Sequence, residues 1–233
     1  MLKAVLFDFN GVIINDEPIH KALITEILVE ENLCLSDAEF SEVCLGKSDK
    51  ICLDALFSRY GKVVSESYLN NLITKKAQKY REQLENLETL PIYPGIQDLL
   101  INIKGRGLHL GLVTGSVRSE TEFVLRNVGL ADYFEVLVAG DDLGVSKPNP
   151  EGYLRAIEQL NDLEKFSKIS AVNCLAIEDT PAGIKAAKAA GIQVVGIANT
   201  YPFHFMQRLA NWAIDYLSEL ELDRIERAFV GSA

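Results

Sequence analysis

The chain lacks the features that would assign its class at a glance. It has no long basic run, and its formal net charge is −10. That balance argues against a nucleic-acid or anionic-membrane surface as its main partner. No apolar run reaches the roughly 20 residues of a membrane-spanning helix. The N-terminus has no charged segment leading into a long apolar stretch, so a secretory leader is not expected. Cysteine is sparse, with Cys34, Cys44, Cys52 and Cys174 and no C-x-x-C pair. A chain of this length does not need covalent staples. The expectation is therefore four reduced thiols in a cytoplasmic protein, with Cys44 and Cys52 as packing residues. No internal repeat and no low-complexity segment is evident, which sets aside solenoid and disordered classes.

What is present is a globular composition, 48% hydrophobic and 24% charged over 233 residues. That is enough for one large domain or two modest ones. The apolar run Ala4 to Phe7 is short and ends in Asp8, with Asn10-Gly11 just beyond, so it reads as a buried strand closed by a turn. From Pro18 to about Leu90 the apolar spacing is helical, and Ser36-Asp37-Ala38-Glu39 has the pattern of a capping box. After Pro91 strands and helices alternate. Strands are expected at Leu108 to Val113, Val136 to Ala139, Cys174 to Ile177 and Gln193 to Ile197. Helices are expected at Ser119 to Asn127, Pro148 to Leu160 and Pro181 to Ala190. This alternation implies right-handed βαβ units and an α/β fold, a Rossmann-like doubly wound parallel sheet. Residues 1–14 and 91–233 would form that core, and residues 15–90 a helical insert hanging over the carboxyl end of the first strand, as a lid does.

Polar groups gather at the ends of four of the expected strands. The first gives Asp8 and Asn10, and the second gives Thr114, Gly115 and Ser116. The third is followed by Lys147, and the fourth gives Glu178 and Asp179. In a parallel sheet these ends share one edge, where ligands bind. Carboxylates suit a hard cation such as Mg²⁺. Hydroxyls, backbone N–H groups and an ammonium suit a phosphate. A carboxylate beside both outlines a phosphoryl-transfer site. Each group alone has an ordinary explanation: Asp8 accepting in a turn, Lys147 solvated, Glu178-Asp179-Thr180-Pro181 capping a helix. Their recurrence at successive strand ends does not.

These motifs resemble those of the haloacid dehalogenase superfamily, in its subgroup of small phosphatases and β-phosphoglucomutase-like enzymes. Phe7-Asp8-Phe9-Asn10-Gly11-Val12 is similar to the first family motif and Val113-Thr114-Gly115-Ser116 to the second. Ser146-Lys147-Pro148-Asn149-Pro150 is similar to the third. Ile177-Glu178-Asp179-Thr180-Pro181-Ala182-Gly183 is similar to the fourth. The resemblance implies a four-helix cap in the insert. It also implies Asp8 as a nucleophile that forms an aspartyl-phosphate, Thr114 with Gly115 and Ser116 as the phosphate cradle, and Lys147 as the neutralising charge. It implies Mg²⁺ on Asp8, Asp179, the Asn10 carbonyl and Glu178. The substrate class implied is a small phosphorylated metabolite such as a sugar phosphate.

The chain departs from the family at Asn10, where the phosphatases and mutases carry the acid/base Asp. An amide neither gives nor takes a proton near neutrality, and acid/base catalysis is worth roughly two to four decades of rate. Asn15 is a second departure. The readings that follow are a slow or specialised phosphatase, with Glu17 or His20 at the cap hinge supplying the proton, and a non-catalytic phospho-ligand or partner-binding protein. A phosphosugar mutase is a further alternative. The family's mutase cap holds a second phosphate with an Arg three residues after a loop glycine, and here Asp49 follows Gly46 at that spacing. Lys47 and Lys50 are the cap-side cations beside it, as point charges rather than forks. Hydrolysis is therefore favoured. An alternative reading of His20 is an ordinary helix-surface residue. The oligomeric state is left open.

Overall fold

The computed structural model describes residues 1–163 and 168–230. Its sheet contains β1 (Ala4–Phe7), β2 (His109–Val113), β3 (Val136–Val138), β4 (Cys174–Glu178), β5 (Gln193–Ile197) and β6 (Trp212–Ile214). All neighbours pair in parallel, in the order β3-β2-β1-β4-β5-β6. β1 is central and buried at every residue. That explains its unbroken apolar sequence, since a strand covered on both faces has no polar side to alternate with. Val5 and Phe7 face one apolar layer, and Ala4 and Leu6 the other.

Helices close both faces. α5 (Ile96–Gly105), α6 (Arg118–Asn127) and α10 (Leu222–Val230) cover the Val5 side through Leu100, Val124 and Ile225. α7 (Glu151–Leu163), α8 (Pro181–Ala189) and α9 (Phe203–Leu209) cover the Leu6 side through Tyr153, Ile184 and Met206. The sheet order reverses between β1 and β4, which opens a crevice at their carboxyl ends.

Between β1 and α5 lie α1 (Glu17–Glu30), α2 (Asp37–Val43), α3 (Asp49–Arg59) and α4 (Glu66–Glu85). They enclose an apolar cluster of their own, including Ile24, Leu28, Phe40, Leu53, Phe57 and Leu69. The capping box at α2 forms as its sequence indicates: Ser36 Oγ accepts from Glu39 N–H, and Glu39 Oε2 from Ser36 N–H. Tyr80 and Leu84 near the end of α4 join the core cluster of the sheet. The loop from α2 to α3 reaches the strand-end loops, where Ser48 N–H donates to Ser146 Oγ at 2.7 Å.

Three expectations are corrected. The helix expected from Pro148 starts at Glu151. A turn from Asn149 N–H to Ser146 C=O and the cis Lys147-Pro148 bond occupy the preceding residues, and Asn149 Oδ1 accepts from Glu151 N–H. Proline disfavours helix in the residue before it, so Asn149 between two prolines stays outside. A further strand, β6, follows the one expected to be last. It is a three-residue edge strand, too short for its Trp-Ala-Ile to show a period. The cysteines are not all reduced: Cys44 and Cys52 form a disulfide, while Cys34 and Cys174 are free. The loop between α2 and α3 brings those two Cα atoms within 4.7 Å, inside bridging range.

Candidate active site

Asp8 follows β1 directly and continues its ladder, its N–H donating to Ile177 C=O at 3.0 Å. Its carboxylate is fixed by Phe9 N–H, 2.7 Å from Oδ1, and is 4% exposed. Lys147 bridges two strand ends, with Nζ 2.8 Å from Asp8 Oδ1 and 2.7 Å from Glu178 Oε1. Burial works against its ammonium, but Asp8 and Glu178 outweigh it and hold the pKa above the ordinary lysine value. Glu178 also accepts from the Tyr153 hydroxyl at 2.5 Å. Asp179 accepts from the Thr200 hydroxyl.

Two glycines make room for these carboxylates. A Cβ on Gly11 would sit 1.8 Å from Asp179 Oδ2, and Gly11 has a φ of +73° that side chains disfavour. A Cβ on Gly183 would sit 1.8 Å from Glu178 Oε2. The Gly in each motif is thus the space into which an acid from β4 packs.

Asp8, Glu178 and Asp179 bring carboxylate oxygens within 4.8 Å of one another, all buried. Among the described residues, Glu178 Oε2 and Asp179 Oδ1 are buried without a hydrogen-bond partner. Burial, then the Asp8 charge, pushes Glu178 up to about 8 and Asp179 well above the usual carboxylate range. Three buried acids facing one lysine are short of positive charge, and hard oxygen donors with orphaned lone pairs fit a small divalent cation.

A family model for haloacid dehalogenase-like hydrolases matches residues 2–191. The chain belongs to that family. It is 29% identical to the β-phosphoglucomutase of Bacillus subtilis over 205 residues, covering 86% of this chain and 85% of that one. It is 26% identical to a phosphoglycolate phosphatase of Colwellia psychrerythraea, over 94% and 95% of the two chains. A β-phosphoglucomutase crystal structure from Clostridium difficile superposes with a TM-score of 0.86 at 25% identity, covering 100% of this chain and 99% of that one. The chemistry these findings support is that of a phosphoric monoester hydrolase.

In this haloacid dehalogenase-like chain the second strand end lies beside the first. Ser116 Oγ donates to Asn10 Oδ1 at 2.6 Å, and Thr114 Oγ accepts from Ser116 N–H. Lys47 C=O lies so near Gly115 that a Cβ there would sit 2.7 Å from it. The amide of Asn10 is held on its other side by Asp16, with Nδ2 2.9 Å from both carboxylate oxygens.

Asp16 is wholly buried and is the centre of a network absent from the sequence reading. It accepts from the Tyr80 hydroxyl at 2.5 Å and lies 3.2 Å from His20 Nε2. Burial would raise its pKa, but His20, Tyr80 and Asn10 lower it on balance. His20 is not the surface residue its helix pattern allowed: it is 9% exposed and stacks on Tyr80. Its Nδ1 lies 2.8 Å from Lys76 Nζ, which also donates to Asp49 Oδ2 at 2.8 Å and Glu120 Oε1 at 3.3 Å. An ammonium only donates, so Nδ1 accepts from a charged Lys76, while Nε2 also lies 3.1 Å from Asn10 Nδ2. Burial and Lys76 oppose a second proton on the ring, but Asp16 and Glu120 outweigh them and raise its pKa above the ordinary histidine value.

Glu17 borders one small cavity with Asp8, Asn10, His20 and Lys47. Burial, aided by Asp16 and Asp8, pushes it up to about 7. Lys47 Nζ donates to Glu42 C=O, and Lys50 pairs with Glu66 on the surface. Neither ammonium is aimed at Asp8.

Asp16, Lys76, Tyr80, Glu120, Tyr153 and Thr200 were not among the residues expected here from the sequence. Thr200 was within reach, because Asn199-Thr200 follows β5 as the other polar pairs follow their strands, and Asn199 Nδ2 donates to Gly11 C=O at 2.7 Å. Lys76 and Glu120 carry no such signal, since charged residues on amphipathic helices usually face water.

Proposed function

We propose that this chain is a Mg²⁺-dependent phosphatase of a small phosphomonoester, working through an aspartyl-phosphate on Asp8. The observation that carries the reading is the buried ion-paired Asp8, at the end of β1 where the sheet order reverses, with Lys147, Glu178 and Asp179 around it. Residues 15–90 are the cap that closes over Asp8, and residues 1–14 and 91–233 the core. The protein acts in the cytoplasm.

In this reading Asp8, Asp179, Glu178 and the Asn10 carbonyl would hold the Mg²⁺. Bound there, the ion would supply positive charge against the phosphoryl oxygens. Thr114, Gly115 and Ser116 cradle the transferring group. Lys147 neutralises the repulsion between an anionic nucleophile and an anionic ester. An Asp8 oxygen bonds to phosphorus as the ester oxygen leaves with a proton, and water then hydrolyses the acyl phosphate. Asn10 trades no proton. Glu17, at about 7 and bordering the cavity of Asp8, is the acid that protonates the leaving oxygen and the base that then takes water's proton.

The test is phosphate release from sugar phosphates, phosphoglycolate and nucleotides with and without EDTA. Turnover that needs Mg²⁺ and vanishes in Asp8→Asn supports the reading.

One observation favours a second reading, a binding protein without turnover. The Asn10 amide is tied at both ends, to Ser116 and to Asp16, and leaves no group at this position to move a proton. Inert native protein beside an active Asn10→Asp variant would establish it. A mutase is disfavoured, because the loop position suited to a second phosphate is Asp49, which is committed to Lys76.

A further inference from the structure

A disulfide is unusual in a chain that acts in the cytoplasm. Disulfides in a reducing cytosol are usually transient and serve catalysis or redox sensing. The cap has no structural need of one, because its helices already enclose an apolar cluster. The place of Cys44 and Cys52 points to another use.

Cys44 closes α2, and Cys52 lies in the first turn of α3. The short loop between those helices leans on the strand-end loops of the core. A Cβ on Gly46 would sit 2.5 Å from Thr180 Oγ1, next to Asp179. Lys47 C=O crowds Gly115, and Ser48 N–H donates to Ser146 Oγ, next to Lys147. A Cβ on Gly140 would sit 3.2 Å from Ser48 Cβ. Cys44, Cys52 and Lys47 border the same small cavity as Asp8. That cavity is about 40 Å³, and one water's share of the liquid is roughly 30 Å³. A phosphate ester needs more room, so the loop must leave before one reaches Asp8.

Two movements would uncover Asp8. Lifting the whole cap draws Tyr80 and Leu84 out of the apolar cluster of the sheet and parts the buried Lys76 from Glu120. Returning that apolar surface to water is costly. Retracting the loop alone breaks only the few contacts just named. This local route needs the end of α2 to fray and Cys44 to move away from α3. The disulfide forbids it, because it fixes Cys44 to the first turn of α3 and closes a ring around the loop.

We propose that Cys44 and Cys52 form a thiol–disulfide switch on access to Asp8: the disulfide holds the loop shut, and the dithiol state lets it open. The reductant is a dithiol, of a protein or a small molecule. One of its thiolates attacks a sulfur of the pair and expels the other as a thiolate, leaving a mixed disulfide. Its second thiolate then displaces the remaining cysteine. The reductant departs as a disulfide, and the two electrons and two protons it gives up end on Cys44 and Cys52. Glutathione disulfide drives the exchange in reverse and leaves as two thiols.

The test uses native protein reduced with dithiothreitol or oxidised with glutathione disulfide, each then freed of reagent. Mg²⁺-dependent hydrolysis of p-nitrophenyl phosphate and tryptic cleavage after Lys47 are measured on both, with fragments separated under reducing conditions. The reduced form is expected to show kcat/KM about fivefold or more above the oxidised form, the low end of coupling between sites. It should also be cut after Lys47 about tenfold faster, because cleavage follows the population of the opened loop. The Cys44→Ser/Cys52→Ser variant should behave as reduced native protein and ignore the oxidant. Measurable hydrolysis at equal kcat/KM, equal cleavage, or either one higher in the oxidised state overturns the inference. So does an oxidant response that persists in the double variant, which would assign it to Cys34 or Cys174. The rate comparison rests on the phosphatase reading and the cleavage comparison does not. No hydrolysis in either state, with the cleavage difference kept, counts against that reading alone. If the double variant fails to fold, the two states of the native protein still decide.

Discussion

Asn10 and Asp16 belong together. The amide donates to both oxygens of a buried carboxylate 2.9 Å away, so an acid at position 10 would face Asp16 as a like charge. Two carboxylates at that distance share a proton, and one pKa rises strongly. In Asn10→Asp the new carboxyl is thus expected to be protonated near neutrality and to serve as a general acid. Its rate on poor leaving groups should exceed the native rate by about 10²-fold or more, and should fall as pH rises through the raised pKa. A variant no faster than native protein between pH 5 and pH 8 contradicts this. Glu17 is the complementary case. If it supplies the proton in the native protein, Glu17→Gln should lower kcat and flatten the limb of the pH–rate profile near 7, where Glu17 itself titrates. A profile of unchanged shape would remove Glu17 from the proton path. Asp8, Lys147, Glu178 and Asp179 were legible in the sequence because each ends or follows an apolar strand, and strand ends converge by topology. Asp16 was not, since a carboxylate just past a turn looks solvated until the chain buries it under Tyr80.

At the scale of elements, the α2–α3 loop is the piece that approaches the strand ends most closely. Its Ser48 amide bonds to Ser146, and its Lys47 carbonyl presses on Gly115. Cys44 at the end of α2 and Cys52 in α3 tie the base of that loop. Denatured protein alkylated without reductant is therefore expected to carry label on Cys34 and Cys174 only. After reduction all four cysteines should react, and label on Cys44 or Cys52 in the unreduced sample contradicts the pairing. The sequence showed these helices by their period and the α2 cap by its residue pair. It did not show the disulfide, because the spacing of Cys44 and Cys52 spans a loop whose path depends on packing. Nor did it show the start of α7, where two prolines permit a first helical turn but Asn149 caps the helix later. β6 went unseen because an edge strand of three residues needs no alternation to pair with β5.

Across the whole molecule, stability is linked through protons to the buried acidic cluster of Asp8, Glu178 and Asp179. Glu178 titrates at about 8 in the metal-free fold, against about 4.5 in an unfolded chain, and burial is the main cause. A raised pKa stabilises the fold below the unfolded value, and that contribution is lost as pH rises through the folded one. Metal-free protein should therefore melt at progressively lower temperature between pH 5 and pH 8. Mg²⁺ should restore the loss, with a larger rise in Tm at pH 8 than at pH 5, because at pH 5 protons compete for the same oxygens. A Mg²⁺ effect of equal size at both pH values contradicts the assignment of Glu178 and Asp179 to the cation. All of the proposed chemistry depends on Asp8 acting as the nucleophile. The most direct measurement is mass spectrometry of native protein quenched in acid during Mg²⁺-dependent turnover. The peptide containing Asp8 should gain the mass of one phosphoryl group, and lose it on treatment with hydroxylamine, which cleaves acyl phosphates. Steady turnover with no phosphoryl group on that peptide, together with retained activity in Asp8→Asn, would contradict it.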